Sequence, residues 1–286
     1  MNILNTWPFN ILVYLFSIVI FNQFYKLAVR DAKNDGAATI LLQVIASFFC
    51  LFLVPFFSFK FPLNLKPYFL LILASIFYAL NDRLQTTSRK HIEVSVFSII
   101  SQLSNVFLIL IGLIFFKEKF FLNKIIGAAL ILFANIFLFY KKGRFELNKY
   151  TLIGVLATFI FSLALSIDIG ISKQFNLPFY IMLTLFIPSL MIFFAEKIKV
   201  KDLINELETK NKKYYFITGL FWSLAIFFSL RLYQFGKVTI ITPLQATSVI
   251  LNILVAYIFL NEKSNRVKKI IAAILVFFGI WLIVYK

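Results

Sequence analysis

Polar side chains recur at helical spacing inside stretches of the chain that are otherwise apolar. Two sets share this pattern and lie on two different predicted helices. They are Ser95, Ser98, Gln102 and Asn105 in the first set and Thr242, Gln245 and Asn252 in the second. Their hydroxyl and amide groups can donate and accept hydrogen bonds, which is the chemistry needed to bind a small polar solute. We expect them to line one cavity, and ordinary hydrogen bonding between helices is the alternative.

Two further side chains are expected at the same cavity. Asp82 follows Ser75 and Tyr78 on one face of a predicted helix, at spacings of seven and four residues respectively. Trp222 lies on another predicted helix and has a ring that can stack on a ligand. The alternatives for Trp222 are ordinary packing or an anchor at the membrane–water interface, where tryptophan is enriched.

Asp168 and Arg231 are the charged residues that lie inside predicted helices near a common side. Each is four residues from a predicted helix end, which is about 6 Å at 1.5 Å per residue. Long side chains at such depths often extend to the interface instead, but aspartate is too short to do so. We therefore predict that these two residues form a gate, or that Asp168 is a coupling carboxylate.

Several functional classes are disfavoured. One histidine, His91, and one cysteine, Cys50, cannot build a zinc site or an intrachain disulfide. The sequence contains no P-loop, GxSxG or HExxH motif, so neither an enzyme nor a cofactor is expected. The net charge of +17 resides in short basic runs between apolar stretches, which is typical of membrane boundaries and not of a nucleic-acid surface.

The elements that must position these residues are predicted to be membrane helices. Hydrophobic residues make up 61% of the 286 residues and charged residues only 14%. A soluble domain is about 45–50% apolar and 25% charged, so lipid must be the solvent for most of this chain. We predict an all-α integral membrane protein with ten helices of about 20 residues. They span 8–26, 37–57, 67–87, 92–116, 122–140, 150–172, 177–195, 213–235, 239–260 and 268–285, and 196–212 forms a surface loop or a short amphipathic helix.

The chain contains an internal repeat. Residues 94–119 align with residues 238–263, and each stretch is followed by a further apolar helix. We therefore predict two five-helix halves, residues 1–142 and 143–286. Because five is odd, the second half must enter the membrane inverted, as in transporters that work by alternating access. The most informative aligned pairs are polar: Ser104 with Ser248, Glu118 with Glu262 and Lys119 with Lys263.

The stretches FFKEK and FLNEK, each ending a predicted helix ahead of a helix rich in small residues, resemble the EamA-like branch of the drug/metabolite transporter superfamily. The resemblance extends over essentially the whole chain. It implies a secondary transporter, with an export direction and with a central cavity lined by predicted helices 1, 3, 4, 6, 8 and 9. Ile99 stands where the first half of family members usually has proline.

Orientation and partners remain open in part. The resemblance implies cytoplasmic termini, whereas the loops on the side opposite the termini carry more Lys and Arg, which places the termini outside. We expect a multi-pass protein of a bacterial inner (plasma) membrane that carries a small metabolite or amino-acid-like solute. Protons or a counter-solute are the candidate driving partners. The alternatives are a non-transporting scaffold or sensor and, more weakly, a membrane enzyme.

Overall fold

Helices account for nearly all of the described chain. A computed structural model describes residues 6–115, 121–141, 144–145, 148–209, 211–235 and 238–284. Apart from two 3₁₀ turns, Val54–Phe56 and Ser172–Gln174, and a pairing of Tyr140–Lys141 with Arg144–Phe145, the regular elements of these residues are helices. They are α1 (Trp7–Val29), α2 (Asp35–Leu53), α3 (Lys66–His91), α4 (Val94–Ile100), α5 (Leu103–Phe115), α6 (Leu122–Phe139), α7 (Lys149–Ile171), α8 (Leu177–Ala195), α9 (Val200–Leu207), α10 (Lys212–Phe235), α11 (Val238–Phe259) and α12 (Arg266–Val284). The prediction of an all-α fold is confirmed at this level.

Eight helical segments of the described chain are long and apolar enough to cross a membrane, which supports a multi-pass membrane protein. The prediction from sequence has ten. The two other segments are α3, which has 26 residues but many polar ones, and α11, whose apolar part is Leu244–Phe259. Both carry cavity residues. Helix α3 falls outside the count because it is polar, and α11 because its described apolar part is too short.

The predicted helix 92–116 is broken in two. After Ile100 the backbone turns at Ser101 and Gln102, where Gln102 N bonds Ile99 O at 3.1 Å and Ser104 N bonds Ser101 O at 3.2 Å. The hydroxyl of Ser101 donates to Ser98 O at 2.9 Å. Serine and glutamine side chains compete with the backbone for hydrogen bonds in this way, which explains a break that apolar periodicity alone does not predict.

The predicted connection 196–212 contains the short helix α9. Glu206 on this helix is buried, and its carboxylate accepts from Lys33 N at 2.7 Å and Asn34 N at 2.8 Å. Asn34 in turn is the N-cap of α2 and accepts from Ala37 N at 3.1 Å. The connection is therefore fixed to the start of α2 by a carboxylate on backbone N–H groups, a favourable arrangement at a helix N-terminus.

The most extensive helix contacts join the first half of the chain to the second: α1 with α10, α3 with α7, α6 with α12 and α2 with α8. The α6–α12 crossing is close because two glycines meet there. A Cβ added at Gly127 would lie 2.3 Å from Gly279 O, and one added at Gly279 would lie 2.7 Å from Gly127 O. Small residues that allow such approach are typical of helix interfaces in membranes.

Candidate substrate cavity

A cavity of about 290 Å³ lies between the helices of the two halves. This is close to the lower end of the range for small-molecule pockets, which begins near 300 Å³. Its wall combines polar and aromatic side chains from both halves. They include Tyr14, Asn22, Tyr78, Asp82, Arg89, Ser98, Gln102 and Asn105 from the first half and Asp168, Thr184, Trp222, Tyr233, Gln245, Ser248 and Asn252 from the second. A polar cavity of this size inside an apolar bundle suits a small polar solute.

Most residues that the sequence singled out for the cavity lie at its wall. They are Asp82, Ser98, Gln102, Asn105, Trp222, Gln245 and Asn252, from α3, α4, α5, α10 and α11 and the turn between α4 and α5. The side chain of Thr242 lies outside the described residues. Helix α8 corresponds to the seventh predicted helix, 177–195, which was not expected at the cavity. It contributes Thr184 and Leu185 to the wall.

Ser95 does not line the cavity, which corrects its expected position. Its hydroxyl donates to Glu262 Oε2 at 2.5 Å, and its backbone N donates to the same oxygen at 3.0 Å. Glu262 Oε1 accepts from Val94 N at 2.7 Å. The reason is the bend between α3 and α4, which places Ser95 in the first turn of α4, where free N–H groups attract a carboxylate. Glu118, the aligned residue of the first half, lies outside the described residues.

Asp82 is held by three neutral amides. Its Oδ1 accepts from Asn81 Nδ2 at 2.7 Å and Gln85 Nε2 at 2.9 Å, and its Oδ2 accepts from Gln43 Nε2 at 2.7 Å. The residue is 2% exposed. A buried carboxylate needs such donors because burial removes its water. Asp82 is therefore a carboxyl group held in a fixed position at the wall of the cavity.

Asp168 is a second fixed carboxylate, and two tyrosines hold it. Tyr78 Oη donates to Oδ2 at 2.6 Å, and Tyr180 Oη donates to Oδ1 at 2.5 Å. Tyr78 belongs to α3 of the first half, whereas Tyr180 belongs to α8 of the second. Asp168 therefore connects three helices and both halves at the cavity wall.

Arg231 has a different environment from the one expected. Its guanidinium carbon lies 4.9 Å from the ring centre of Phe57 and 5.6 Å from that of Phe227. The ion pairs of the described residues do not include one between Asp168 and Arg231. In this conformation tyrosine hydroxyls take the place at Asp168 that the sequence assigned to Arg231. The gate formed by these two residues stays a prediction.

Arg89 is a cavity residue that the sequence reasoning missed. The predicted third helix ends at residue 87, so Arg89 was expected in a loop. In the structure α3 continues to His91. Arg89 lies four residues after Gln85 and seven after Asp82, so helical spacing places all three on one face. That spacing was the available signal, and the misplaced helix end concealed it.

A group of polar contacts, here called the closing cluster, lies beside Arg89 where α3 ends and α4 begins: Lys26, Glu93, Glu262 and Lys269. Lys26 Nζ donates to Arg89 O at 2.8 Å and to Ile92 O at 2.8 Å, at the end of α3. Glu93 Oε2 pairs with Lys269 Nζ at 2.5 Å, and Glu262 holds the start of α4. Glu93 belongs to the first half and Lys269 to the second, so the cluster joins the halves.

Trp222 belongs to an aromatic group that covers the cavity near this end. Its ring centroid lies 5.5 Å from that of Phe21 and 5.9 Å from that of Tyr25, both on α1. Tyr25 Oη also bonds Thr86 Oγ1 at 2.8 Å. Trp222 is 6% exposed, so it packs within the protein and is not an interface anchor.

Apolar helices of membrane length around a cavity with polar groups are typical of membrane proteins that bind small solutes. Residues 5–141 match the sequence model of the EamA-like transporter family. The match confirms the resemblance over these residues, and it supports a membrane transporter of the drug/metabolite transporter type.

Similarity to solved structures concerns the fold alone. One crystal structure, described only as that of a protein, covers 96% of this chain and 95% of its own at a TM-score of 0.55 and 11% sequence identity. It is one of 24 chains of solved structures that match. No curated protein sequence matches the chain with significance.

Proposed function

We propose that the protein is a secondary transporter that moves a small metabolite or amino-acid-like solute by alternating access. The observation that carries this proposal is the polar cavity between the two halves, at the level of the membrane helices. Binding between two halves allows a rocking motion to expose one site to either side of the membrane in turn. The cavity residues then bind the solute through their hydroxyl, amide and carboxylate groups.

We further propose ten spans arranged as two inverted repeats, residues 1–142 and 143–286. Support comes from the contacts between the halves, which occur in matched pairs. In such a repeat, α1 corresponds to α7 and α3 corresponds to α10. The contact of α1 with α10 then has the contact of α7 with α3 as its counterpart, and both contacts are extensive. The contacts of α2 with α8 and of α6 with α12 join counterparts directly. A two-fold axis in the membrane plane produces such pairs.

The closing cluster suggests how access is controlled. Its ion pair between Glu93 and Lys269 and the contacts of Glu262 with Val94 and Ser95 all join the two halves. Rocking toward the other conformation must break these contacts. The end of the cavity near the closing cluster is therefore the gate that is shut in this conformation.

Asp168 and Arg231 belong to the opposite end, near the ends of α7 and α10. We propose that Asp168 is the coupling carboxylate or a part of the second gate, with protons or a counter-solute as the driving partner. Its two tyrosine contacts come from different halves, so rocking changes the environment of its charge. A change of this kind is what couples ion binding to conformational change.

The direction of transport and the compartment rest on the family. We propose export across the inner membrane of a bacterium. Cells that overexpress the protein should release one or a few metabolites faster than cells with an empty vector. Reconstituted protein should then exchange the labelled metabolite across proteoliposome membranes. A protein that reconstitutes correctly and moves no released metabolite would instead be a scaffold or a sensor.

A crosslink across the closing cluster tests alternating access directly. Glu93→Cys and Lys269→Cys are introduced together with Cys50→Ala and joined by a short bifunctional thiol reagent. We expect transport to stop, because the halves can no longer separate. The matched control joins Asp35→Cys to Lys90→Cys, which replaces an ion pair of 2.9 Å within the first half. Normal transport with the first crosslink formed would contradict the mechanism.

A further inference from the structure

Arg89 is a buried cation at the wall of the cavity, with 7% of its surface exposed. It lies two residues before the end of α3, from where a long side chain can extend to water. It points into the bundle instead. Its Nε donates to Gln85 Oε1 at 3.2 Å, and its Nη1 donates to Asn22 Oδ1 at 2.8 Å.

The positive charge of Arg89 has no direct ionic partner among the described residues. Both of its hydrogen-bond acceptors are neutral amides, and the ion pairs of the described residues do not include it. Arginine has five N–H groups, so three remain without a protein acceptor among the described residues. The acid on the same helix face is Asp82, but the amide of Gln85 stands between the two and donates to Asp82 Oδ1 at 2.9 Å.

No charged side chain among the described residues neutralises the guanidinium of Arg89 by an ion pair. Lys26 Nζ donates to the carbonyl oxygen of Arg89 itself at 2.8 Å, which adds a second cation beside it. The carboxylate of Glu262 is occupied by backbone and hydroxyl donors of Val94 and Ser95. Lys26 does not line the cavity, so the unused donors and the positive charge that face it at this end are those of Arg89.

Three rings fix the guanidinium. Its central carbon lies 4.0 Å from the ring centre of Phe97, 4.8 Å from that of Tyr25 and 5.2 Å from that of Phe21. Aromatic rings interact with the faces of a guanidinium, whereas its N–H groups lie in its plane. A guanidinium with covered faces and unused in-plane donors is suited to bind the two oxygens of a carboxylate.

A second unused donor lies at the same cavity. Ser98 is the residue after Phe97 and lines the cavity, and its buried hydroxyl has no hydrogen-bond partner among the described residues. Buried hydroxyls are normally hydrogen-bonded, so the hydroxyl of Ser98 is available to a polar group that enters the cavity. Ser98 and Arg89 together provide more hydrogen-bond donors than the described residues around them provide acceptors.

We infer that Arg89 binds a carboxylate group of the transported solute, an inference that rests on the proposed transport function. Arg89 is the one Lys or Arg among the described residues that line the cavity, so it matches one negative charge. A second negative charge on the solute would meet the carboxyl groups of Asp82 and Asp168 at the same wall and no further Lys or Arg among the described lining residues. A monocarboxylate or an amino acid therefore fits, and a doubly charged phosphate ester does not.

The test compares acids with their own amides. The probes are monocarboxylic acids and amino acids of metabolite size, each paired with its primary amide, which has the same shape without the negative charge. Binding to the purified protein is measured from the shift of its thermal unfolding midpoint. We expect acids to bind about tenfold or more tightly than their amides, because a bidentate carboxylate contact is lost in the amide.

Variants then assign the preference to Arg89. Arg89→Gln should remove the difference between acid and amide while leaving amide binding unchanged, and Arg89→Lys should restore part of it. The matched control is Arg30→Gln, because Arg30 is exposed and pairs with Asp31. If Arg89→Gln does not fold, the double variant Asp82→Asn with Arg89→Gln removes both charges.

The outcomes are distinguishable from those of the transport assay. Equal binding of acids and amides by the unmodified protein, no binding of any acid, or an equal loss of both ligands in Arg89→Gln would each overturn the inference. A solute that is transported at the normal rate by Arg89→Gln would overturn it too, while leaving the proposed transport function intact. Failure to transport any solute would contradict the transport function itself.

Discussion

Asp168 is a carboxylate whose burial is stabilised only by neutral donors. Tyr78 and Tyr180 supply one hydrogen bond each, at 2.6 and 2.5 Å. Charge-assisted hydrogen bonds of this kind are stronger than those between neutral groups. The protein keeps a charge at the cavity wall at a cost that an apolar residue would avoid, which is typical of functional groups in membrane proteins.

Asp168→Asn is expected to reduce transport by about 10- to 100-fold. This is the effect that the loss of one hydrogen bond to a charged group would have. Asparagine has the same shape, so insertion and folding should persist, as checked by gel filtration in detergent. Asp31→Asn is the control, since Asp31 is exposed and lies outside the cavity. Normal transport by Asp168→Asn would show that the carboxylate has no part in coupling or gating.

At the scale of the elements, α4, α5 and α11 carry the polar faces that the sequence predicted, and these faces meet at the cavity. Helix α4 ends early because polar side chains compete for backbone hydrogen bonds at Ser101 and Gln102. An interrupted helix at the cavity leaves backbone groups near the solute, as in other discontinuous membrane helices.

Cysteine accessibility tests these faces. In a Cys50→Ala background, Ser98→Cys, Gln102→Cys and Gln245→Cys should react with a charged, water-soluble thiol reagent, and Thr242→Cys is expected to do so from the repeat. Leu254→Cys is the control, because Leu254 is 46% exposed on the outside of the bundle, where lipid excludes the reagent. Labelling at Leu254 alone would show that the polar faces point away from the cavity.

The crossing of α6 and α12 depends on glycine. Gly127→Val should lower the free energy of unfolding by about 1–3 kcal/mol or more, because its side chain meets the backbone of Gly279. The matched control is Gly170→Ala, since a Cβ at Gly170 meets nothing within 4 Å. Unfolding in denaturant monitored by circular dichroism measures both. A neutral Gly127→Val would mean that the helices are farther apart.

At the scale of the whole molecule, the two halves are joined by matched helix contacts and by the closing cluster. Both features follow if each half is a copy of the other turned over in the membrane. The polar cavity then lies where the halves meet, and each half contributes part of its wall. This arrangement lets two similar conformations expose the cavity to opposite sides.

An experimental structure should therefore show residues 1–142 superposing on residues 150–286 by a rotation of nearly 180° about an axis in the membrane plane. The two termini should lie on the same side of the membrane, which can be checked by protease protection of tags added at each end. Nine or eleven spans, or two halves of parallel orientation, would contradict the prediction.

The sequence by itself determined the solvent, most of the secondary structure and several residues of the cavity wall. Apolar stretches of about 20 residues must form helices in lipid, where every backbone group needs an internal partner. Polar residues on those helices must face inward, so Ser98, Gln102, Gln245 and Asn252 were predictable from spacing alone.

Only the tertiary structure decided which polar groups meet across helices. Periodicity fixes the face on which a residue lies but not its neighbour on another helix. Asp168 was therefore paired with Arg231 by depth in the membrane, whereas the fold brings Tyr78 and Tyr180 to Asp168. Ser95 faces inward as expected but meets Glu262, 167 residues away in sequence. Arg89 joined the cavity because α3 extends further than its hydropathy indicates, and a helix end in a membrane protein is set by the contacts that it makes.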